Sequence, residues 1–391
     1  MATIIVDTNS TSAAIGNLND GDDIIVLPNV SLYVTSDSAI ESAANDYNSH
    51  NVWIEGAVFS DAANAVALDQ DAFGYGANRV YVGGSGSISA TTGIALRVEG
   101  SSNFVTNLGE IGGTTAVYIP NADLAQIRND GSLIGWANNG VQTVSGSEVE
   151  LVNTGLIQAH QTAVYFTSSD GRVVNSGTIS GGTNGIKFSS TIGSKVYNTE
   201  TGVISSYPTS DAVAFGTGDD LLINHGQLIG NVVFNGGDDT FKGRSGSVDG
   251  NVSGGDGNDT LIGSSADDDN LRGNNDHDTL KGRAGDDVLD GGSGRDHLFG
   301  GKDDDTLTGG TQRDYFHFGR NQDHDTITDF ENGVDKLELS AFGFSSKAQA
   351  LSQFFEIGGA ANDKVGFDYK GTFIVIKGVD LADIDNADLL I

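Results

Sequence analysis

Short apolar runs separated by glycine and asparagine recur through the first half of the chain. Each repeat has an apolar pair ending in asparagine, then Gly-x-Ile or Gly-x-Leu, then a third run such as Ala163-Val164-Tyr165. Three β-rich runs per repeat predict one turn of a three-faced parallel β-helix, with alternate apolar side chains pointing inward. The repeat asparagines, at spacings of 22, 24, 22, 23 and 26 residues, are Asn107, Asn129, Asn153, Asn175, Asn198 and Asn224.

These asparagines have two interpretations. If they stack at one corner of the coil, their side-chain amides can hydrogen-bond from turn to turn and satisfy one another. They can instead adopt the left-handed turn conformation that asparagine tolerates. We expect the ladder. Weaker coils are expected at 51–56 and 79–84 within a β-helix spanning 51–215, and residues 1–50 are expected to hold an N-terminal cap and the first coil.

A second and shorter period begins at Gly254. Seven consecutive nonapeptides follow the pattern GGxGxDxUx, where U is a large apolar residue, with one glycine inserted after the first unit. This pattern resembles the RTX, or hemolysin-type, calcium-binding repeat, which implies a calcium-binding β-roll over residues 254–329. Six residues form a turn and three form a strand whose middle side chain is buried. The predicted buried residues are Leu261, Leu271, Leu280, Leu289, Leu298, Leu307 and Phe316.

Two nonapeptides make one 18-residue coil, so stacked turns are two repeats apart and the aspartates form two columns. One column steps by 19, 18 and 18 residues from Asp259 to Asp314, and the other steps by 18 and 18 from Asp269 to Asp305. Each gap between stacked turns can hold one Ca²⁺, which takes six to eight oxygen ligands at about 2.3–2.6 Å. Glycine lets the backbone approach so closely. The candidate metal ligands are Asp220, Asp239, Gly255, Gly257, Asp259, Asp269, Asp278, Gly285, Asp287, Gly292, Gly294, Asp296, Gly301, Asp305, Gly310 and Asp314.

Two of these sites depart from the pattern and are expected to be weak or empty. Asp269 belongs to a unit without its glycines, and Gln312 replaces the fourth glycine before Asp314.

Acidic turns also join the two periods. They end at Asp220, Asp239 and Asp259, which are 19 and 20 residues apart. The coil therefore shortens from about 23 residues through 20 to 18. We expect a single continuous right-handed solenoid, all β, with transitional coils at 216–253.

The C-terminal region carries two further resemblances. The segment Asp325-Thr-Ile-Thr-Asp-Phe330 resembles the start of the C-terminal cap of RTX proteins such as the serralysin proteases, which would occupy 330–391. The residues Asp388-Leu-Leu-Ile391 resemble the uncleaved signal of type I secretion substrates. Residues 1–14 have no basic residue and only a short apolar stretch, so no secretory signal peptide is expected there. These features predict a secreted or cell-surface protein that meets the type I secretion machinery during export.

Composition excludes several classes of function. With 53 acidic and 20 basic residues among 391, the net charge of −33 disfavours nucleic acid and anionic membranes as partners. The absence of cysteine excludes disulfides and zinc–thiolate sites. No apolar run approaches the roughly 20 residues that a membrane span requires.

Two functions remain open. The first is a non-catalytic extracellular protein with a structural, adhesive or surface-layer role, forming homo-oligomers or filaments or binding a cell-surface or matrix polysaccharide. The second is a carbohydrate-active β-helix enzyme, a polysaccharide lyase or epimerase, with Asp69, Asp71, Tyr75 and Arg79 as its candidate cluster. The chain has no zinc-protease histidine pair on one helical turn and no G-x-S-x-G motif.

Overall fold

The chain is a parallel β-solenoid in which strands make up 57% of the residues and helix 2%, which confirms the predicted all-β class. The computed structural model describes residues 3–10, 15–18, 21–35, 37–42, 49–68, 76–144, 146–167, 170–207, 209–358 and 364–391. Contacts divide the chain into unit 1, Met1–Gly216 with Gly226–Gly230, and unit 2, Thr217–His225 with Asn231–Ile391. Within the described ranges, no helix is long and apolar enough to cross a bilayer.

Each coil of unit 1 contributes strands to three parallel sheets, as the threefold repeat predicts. Sheet 1 contains Thr3–Val6, Asp23–Val26, Asn51–Ile54, Ala77–Val82, Ser102–Asn107, Ala122–Asn129, Gly146–Asn153, Asp170–Asn175 and Lys195–Asn198. Sheet 2 contains Ser31–Val34, Ala57–Ser60, Ser87–Ala90, Glu110–Gly113, Ser132–Gly135, Leu156–Ala159, Thr178–Gly181, Val203–Ser205 and Gln227–Ile229. Sheet 3 contains Ile15–Leu18, Ile40–Ser42, Val66–Leu68, Ile94–Val98, Thr115–Ile119, Val141–Thr143, Thr162–Phe166, Asn184–Phe188 and Asp211–Ala214. The described part of residues 1–50 thus supplies strands to the same three sheets.

Like residues stack on like residues inside unit 1. On sheet 2 one inward column runs Ile111, Leu133, Ile157, Ile179 and Ile204, and all five are fully buried. Burying an aliphatic side chain of this size stabilises the fold by about 1.5–3 kcal/mol. Because every coil repeats the contact, each coil is held mainly by its two neighbours.

The asparagines at the end of the sheet 1 strands form the predicted ladder. Each Nδ2 donates to the Oδ1 of the asparagine one coil later, at 2.8 Å from Asn107 to Asn129, Asn129 to Asn153 and Asn153 to Asn175, and at 2.9 Å from Asn175 to Asn198. All five side chains are buried. None of the five has a positive φ, so the left-handed interpretation is wrong for them. An amide has both a donor and an acceptor, so the column satisfies itself from coil to coil.

Unit 2 is built from a shorter coil that alternates between two parallel sheets. Sheet 4 contains Leu221–Asn224, Thr240–Arg244, Thr260–Ser264, Thr279–Ala284, His297–Lys302, Tyr315–His317, Lys336–Glu338 and Leu389–Leu390. Sheet 5 contains Asn231–Gly236, Val252–Asp256, Asn270–Asn275, Val288–Ser293, Thr306–Thr311, Asp323–Ile327, Thr372–Lys377, Lys364–Tyr369 and Phe354–Glu356. A short strand, Ser247–Asp249, belongs to neither sheet 4 nor sheet 5. The seven predicted buried residues, Leu261 and then every ninth residue from Leu271 to Phe316, are all fully buried.

The last part of unit 2 changes from parallel to antiparallel pairing. Thr372–Lys377 pairs in parallel with Asp323–Ile327 and antiparallel with Lys364–Tyr369, which in turn pairs with Phe354–Glu356. A 3₁₀ turn, Ser340–Phe342, and a short α-helix, Lys347–Leu351, precede this hairpin. Phe342 packs edge-on against Phe367 with ring centroids 5.4 Å apart. The handedness of the coil and its continuity across residues 216–253 stay predictions from the sequence.

We expect Asn153→Ala to destabilise unit 1 by about 1–3 kcal/mol, because it leaves the buried amide oxygen of Asn175 without its ladder donor. Trp53 and Trp136 are the chain's two tryptophans, and both lie in unit 1. Urea unfolding followed by tryptophan fluorescence therefore reports on unit 1 directly. The control is Gln158→Ala, an exposed position on the same coil, which should change stability by less than about 0.5 kcal/mol. Equal midpoints for the two variants would contradict the ladder's energetic role.

Candidate metal site in the stacked turns

Every turn of the nonapeptide region except the one before Asp269 has two residues with positive φ separated by one residue. In the turn before Asp259 these are Gly255 and Gly257, with φ of 123° and 119°. Non-glycine residues adopt the same conformation where the sequence departs from the pattern, as Gln312 does with φ 80°. Stacking on the neighbouring turns therefore imposes the conformation even where glycine is missing. The paired positions are Asn235 and Gly237, Gly255 and Gly257, Asn274 and Asp276, Arg283 and Gly285, Gly292 and Gly294, Gly301 and Asp303, Gly310 and Gln312, and Asn321 and Asp323.

The aspartates that end these turns form the two predicted columns. The backbone N–H of each donates to the Oδ1 of the aspartate in the next stacked turn, at distances from 2.6 to 3.2 Å. The first column runs Asp220, Asp239, Asp259, Asp278, Asp296, Asp314 and Asp335. The second runs Asp269, Asp287, Asp305 and Asp325. All of the predicted aspartates are therefore brought together, including the two from the transitional coils.

The other carboxylate oxygen, Oδ2, is buried and accepts no hydrogen bond in most of these residues. Leaving a buried acceptor unsatisfied costs about 1–3 kcal/mol, and more if it is charged. A regular row of such atoms therefore indicates a partner that the protein does not supply. The atoms are the Oδ2 of Asp239, Asp259, Asp278, Asp287, Asp296, Asp305, Asp314 and Asp325.

Six of these atoms, the Oδ2 of Asp259, Asp278, Asp287, Asp296, Asp305 and Asp314, each point into a space that only glycine leaves open. A Cβ placed on Gly291, the first residue of its turn, would lie 2.5 Å from Oδ2 of Asp296 and 2.7 Å from the carbonyl oxygen of Gly309 in the next stacked turn. A Cβ on Gly292 would collide with the carbonyl oxygen of Asn274 in the preceding turn. Carboxylate and carbonyl oxygens thus converge between stacked turns, the ligand type that a hard divalent cation requires. Among the described residues no three acidic or histidine side chains converge, so carbonyls would have to supply much of the coordination.

Burial raises the pKa of the column aspartates well above the ordinary value near 3.9. Loss of hydration is the largest cause, the donated backbone N–H opposes it, and most of these carboxylates are raised further by their acidic neighbours. The pKa rises to about 8 for Asp239, Asp278, Asp287 and Asp314, to about 7 for Asp259 and to about 6 for Asp296. Burial also raises the pKa of Asp269, Asp335 and the adjacent pair Asp305 and Asp325. Without a cation, the carboxylates whose pKa rises to about 8 therefore tend to hold a proton near neutral pH, whereas Asp296 is mostly charged.

The turns before Asp269 and Asp314, which both depart from the repeat pattern, differ from each other in structure. In the turn before Asp269, Gly263 is the first residue of the turn and not an insertion before it. A Cβ on Gly263 would lie 2.5 Å from Oδ2 of Asp269, as in the other turns. The turn is one residue longer, and the N–H of Ser264 donates to that Oδ2 at 2.6 Å. The second oxygen of Asp269 is thus already engaged. Gln312 keeps the positive φ that glycine has at this position in other turns, and Oδ2 of Asp314 accepts no hydrogen bond.

Sequence reasoning missed two members of the columns. The turn before Asp325 has no glycine at its two left-handed positions, where Asn321 and Asp323 have φ of 58° and 52°. The sequence does carry a pattern that predicts Asp325 as a column member, since Asp325-Thr-Ile repeats Asp305-Thr-Leu 20 residues later. Asp335 ends the first column, and its Oδ2 accepts from the N–H of Glu331 at 2.8 Å.

The candidate enzymatic cluster is only partly described. Asp69, Asp71 and Tyr75 lie outside the described residues. Arg79 lies in Ala77–Val82 and points outward, with its guanidinium carbon 4.9 Å from the ring centroid of Phe104. No ion pair between described residues involves Arg79. These contacts assemble no catalytic constellation.

Comparison with known families agrees with this geometry. A family model of the RTX calcium-binding nonapeptide repeat, in four copies, matches residues 249–269, 264–298 and 291–325. No curated protein matches the chain. The turns ending at Asp220 and Asp239 precede the matched region, and Asp335 follows it. Residues 249–325 carry RTX calcium-binding nonapeptide repeats, folded as stacked turns of a parallel β-solenoid.

Proposed function

We propose that this chain is an extracellular β-solenoid protein whose unit 2 folds around a row of calcium ions after export. The row of buried Oδ2 atoms without protein donors carries the proposal, and the spaces beside Oδ2 of Asp278, Asp287 and Asp296 are also bordered by a carbonyl of the next turn. A Ca²⁺ in each gap would satisfy these atoms and neutralise part of a net charge of −33. Each ion would add about 1.4 kcal/mol at ten times its dissociation constant.

The gaps are not equivalent. In the first column we assign ions between successive turns from Asp239 to Asp314, which includes one turn upstream of the family match. In the second column we assign them from Asp287 to Asp325. The gap between Asp269 and Asp287 would bind more weakly, because Ser264 already occupies one carboxylate oxygen of Asp269. The glycines at the left-handed positions, such as Gly285 and Gly294, would supply backbone oxygens rather than side chains.

Type I export would require the chain to be unfolded when its signal is recognised. In the folded protein Asp388 is buried and its Oδ1 accepts from the N–H of Gly333 at 3.0 Å. Leu389 is buried as well, and Leu389–Leu390 pairs with Lys336–Glu338. A machinery that reads this segment would thus have to act before unit 2 folds. Extracellular calcium sites bind at about 10⁻⁴–10⁻³ M, so the low calcium of the cytosol would leave the sites empty.

A structural or adhesive role is supported by an open sheet edge in unit 1. Thr3–Val6 pairs in parallel with Asp23–Val26, and no described strand pairs with its other edge. Ile5 in this strand is 56% exposed. Such an edge can accept a strand from another chain unless it is covered. The proposed role therefore includes end-to-end association of copies.

The alternative function, a polysaccharide lyase or epimerase, has only Arg79 of its candidate cluster in a described position. A groove enzyme needs a base near a cation that binds the substrate carboxylate. Nothing in the described ranges places a carboxylate in such a relation to Arg79, so we keep the non-catalytic role.

Chelation of calcium should unfold unit 2 and leave unit 1 folded. Adding EGTA at neutral pH should reduce the strand signal in circular dichroism, because the stacked carboxylates lose their counter-charge. The tryptophan emission of unit 1 should stay unchanged. A strand signal that is identical with and without EGTA would contradict the proposed function.

Asp296→Asn should weaken the calcium-dependent folding of unit 2 without destabilising the calcium-free protein. With calcium it should raise the concentration needed for folding about tenfold, because affinity follows the ligand charge. Without calcium it should not destabilise unit 2, because an amide removes a buried negative charge. The control is Asp249→Asn, an exposed position in the same unit. Calcium titrations followed by circular dichroism measure both effects, and equal behaviour of the two variants would count against Asp296 as a ligand.

Calcium-free unit 2 should be more stable in acid. Its aspartates have raised folded-state pKa values of about 6 to 8, so their contribution to stability is present below the unfolded pKa near 3.9 and lost as pH rises through 6 to 8. In EGTA, strand content should rise when the pH falls from 8 to 5.5. When calcium is present, protons compete with it for the same oxygens. The apparent affinity for calcium should therefore fall as the pH falls from about 8 to about 5.5. A metal-free strand signal that does not change with pH would contradict this linkage.

Self-association should depend on the first strand. In millimolar calcium, light scattering should show a mass that grows with protein concentration, and deletion of residues 1–8 should reduce it because the open edge is lost. A monomer at every concentration, for both proteins, would show that the edge does not associate.

A further inference from the structure

The outward face of sheet 3 in unit 1 carries a single column of long polar and aromatic side chains. Arg97, Tyr118, Gln142, Tyr165 and Lys187 are aligned on successive coils. Neighbouring strands lie about 4.8 Å apart, so the column extends over roughly 19 Å. We propose that this column, Arg97 to Lys187, binds an extended acidic polysaccharide.

The core does not require these residues. In Thr162–Phe166 the inward side chains are Val164 and Phe166, which are fully buried, whereas Tyr165 points outward and is half-buried. Its hydroxyl lies 3.4 Å from the hydroxyl of Ser189. Tyr118 has the same place in Thr115–Ile119. A tyrosine in such a position presents an apolar ring and a polar tip to a ligand.

The column is also unusual in its charge. From Ala67 through Lys187 to Ala214 it contains no acidic residue, although the chain has 53 acids. The nearest acid in the column is Glu41, aligned with Ala67 two coils before Arg97. Acidic ligands are repelled by most of this protein, so a column with no acid of its own favours them locally, except at Arg97, which pairs with Glu99.

The comparable face of sheet 1 differs in this respect. There Glu150 lies between Gln126 and Arg172 in the same column and forms an ion pair with Arg172. On sheet 3 Arg97 contacts Glu99, but no ion pair between described residues involves Lys187. Its ammonium nitrogen lies 5.8 Å from the ring centroid of Tyr165. The Lys187 end of the column therefore presents a cation beside a half-buried aromatic ring.

These features fit a uronate chain better than other anionic polymers. Tyrosine rings can stack on sugar faces, Gln142 can bond hydroxyl groups, and Lys187 can pair with a carboxylate. Nucleic acid would need many more cations to overcome a net charge of −33. A second copy of the chain is proposed to associate through the first strand, which lies on sheet 1 and not on this column. The inference rests on the proposed extracellular location, where such polymers would be met, but uses no residue of the calcium sites.

The test measures binding of a short, soluble oligogalacturonate to the calcium-loaded full chain by calorimetry. Lys187→Glu and Tyr165→Ser should each weaken binding by about fivefold or more. The matched controls on sheet 1 are Lys195→Glu and Tyr197→Ser, which should change affinity less than about twofold. A neutral maltooligosaccharide of equal length should bind more weakly than the uronate.

Several outcomes would overturn the inference: no binding by the wild type, equal binding by the sheet 3 and sheet 1 variants, or tighter binding of the neutral sugar. Equal binding by all variants would place the uronate on calcium in unit 2. Tryptophan emission confirms that each variant keeps unit 1 folded. Calcium-induced folding, followed separately by circular dichroism, distinguishes the two proposals: normal folding without uronate binding defeats only this inference, and uronate binding without calcium-dependent folding defeats only the proposed function.

Discussion

Buried carboxylate oxygens in unit 2 need a positive charge that the polypeptide does not provide. Asp296 is typical: its Oδ1 accepts the N–H of Asp278, while its Oδ2 faces a space bordered by the carbonyl oxygen of Gly309 in the next turn. The tight turns and the row of glycines all bring oxygens together at these points. A fold that concentrates acceptors so closely is stable only if a cation or a proton joins them.

Unit 1 shows the same stacking problem solved with a different side chain. Its asparagine column carries a donor and an acceptor on each amide, so that Asn129 donates to Asn153, which donates in turn to Asn175, without any ion. An aspartate has acceptors only, and a column of aspartates always leaves oxygens over. Under the proposed function, changing the ladder residue from an amide to a carboxylate replaces a self-sufficient column with one that calcium completes. The chain would then combine a unit that folds from its own contacts with a unit whose folding calcium regulates.

Periodicity predicted most of the architecture because each coil is held by contacts with identical neighbours. The three sheets of unit 1, the asparagine ladder, the buried leucines and both aspartate columns follow from residue spacing alone. The spacing could not predict that Ser264 would donate to Asp269, because this depends on how one extra residue is accommodated in a turn. It also missed Asp325, because stacking imposes the left-handed conformation on Asn321 and Asp323 without glycine. The sheet 3 column was invisible for a different reason, since Arg97 and Lys187 share no motif and are aligned only by the register of the coils.

Anomalous scattering from crystals of the calcium-loaded chain tests the central claim most directly. The account predicts ions between stacked turns, each within about 2.3–2.6 Å of an aspartate Oδ2 and of backbone carbonyl oxygens. Peaks should lie beside Asp278, Asp287 and Asp296, with weaker density between Asp269 and Asp287. Turns without ions, in which these Oδ2 atoms accept hydrogen bonds from protein donors or water, would contradict it.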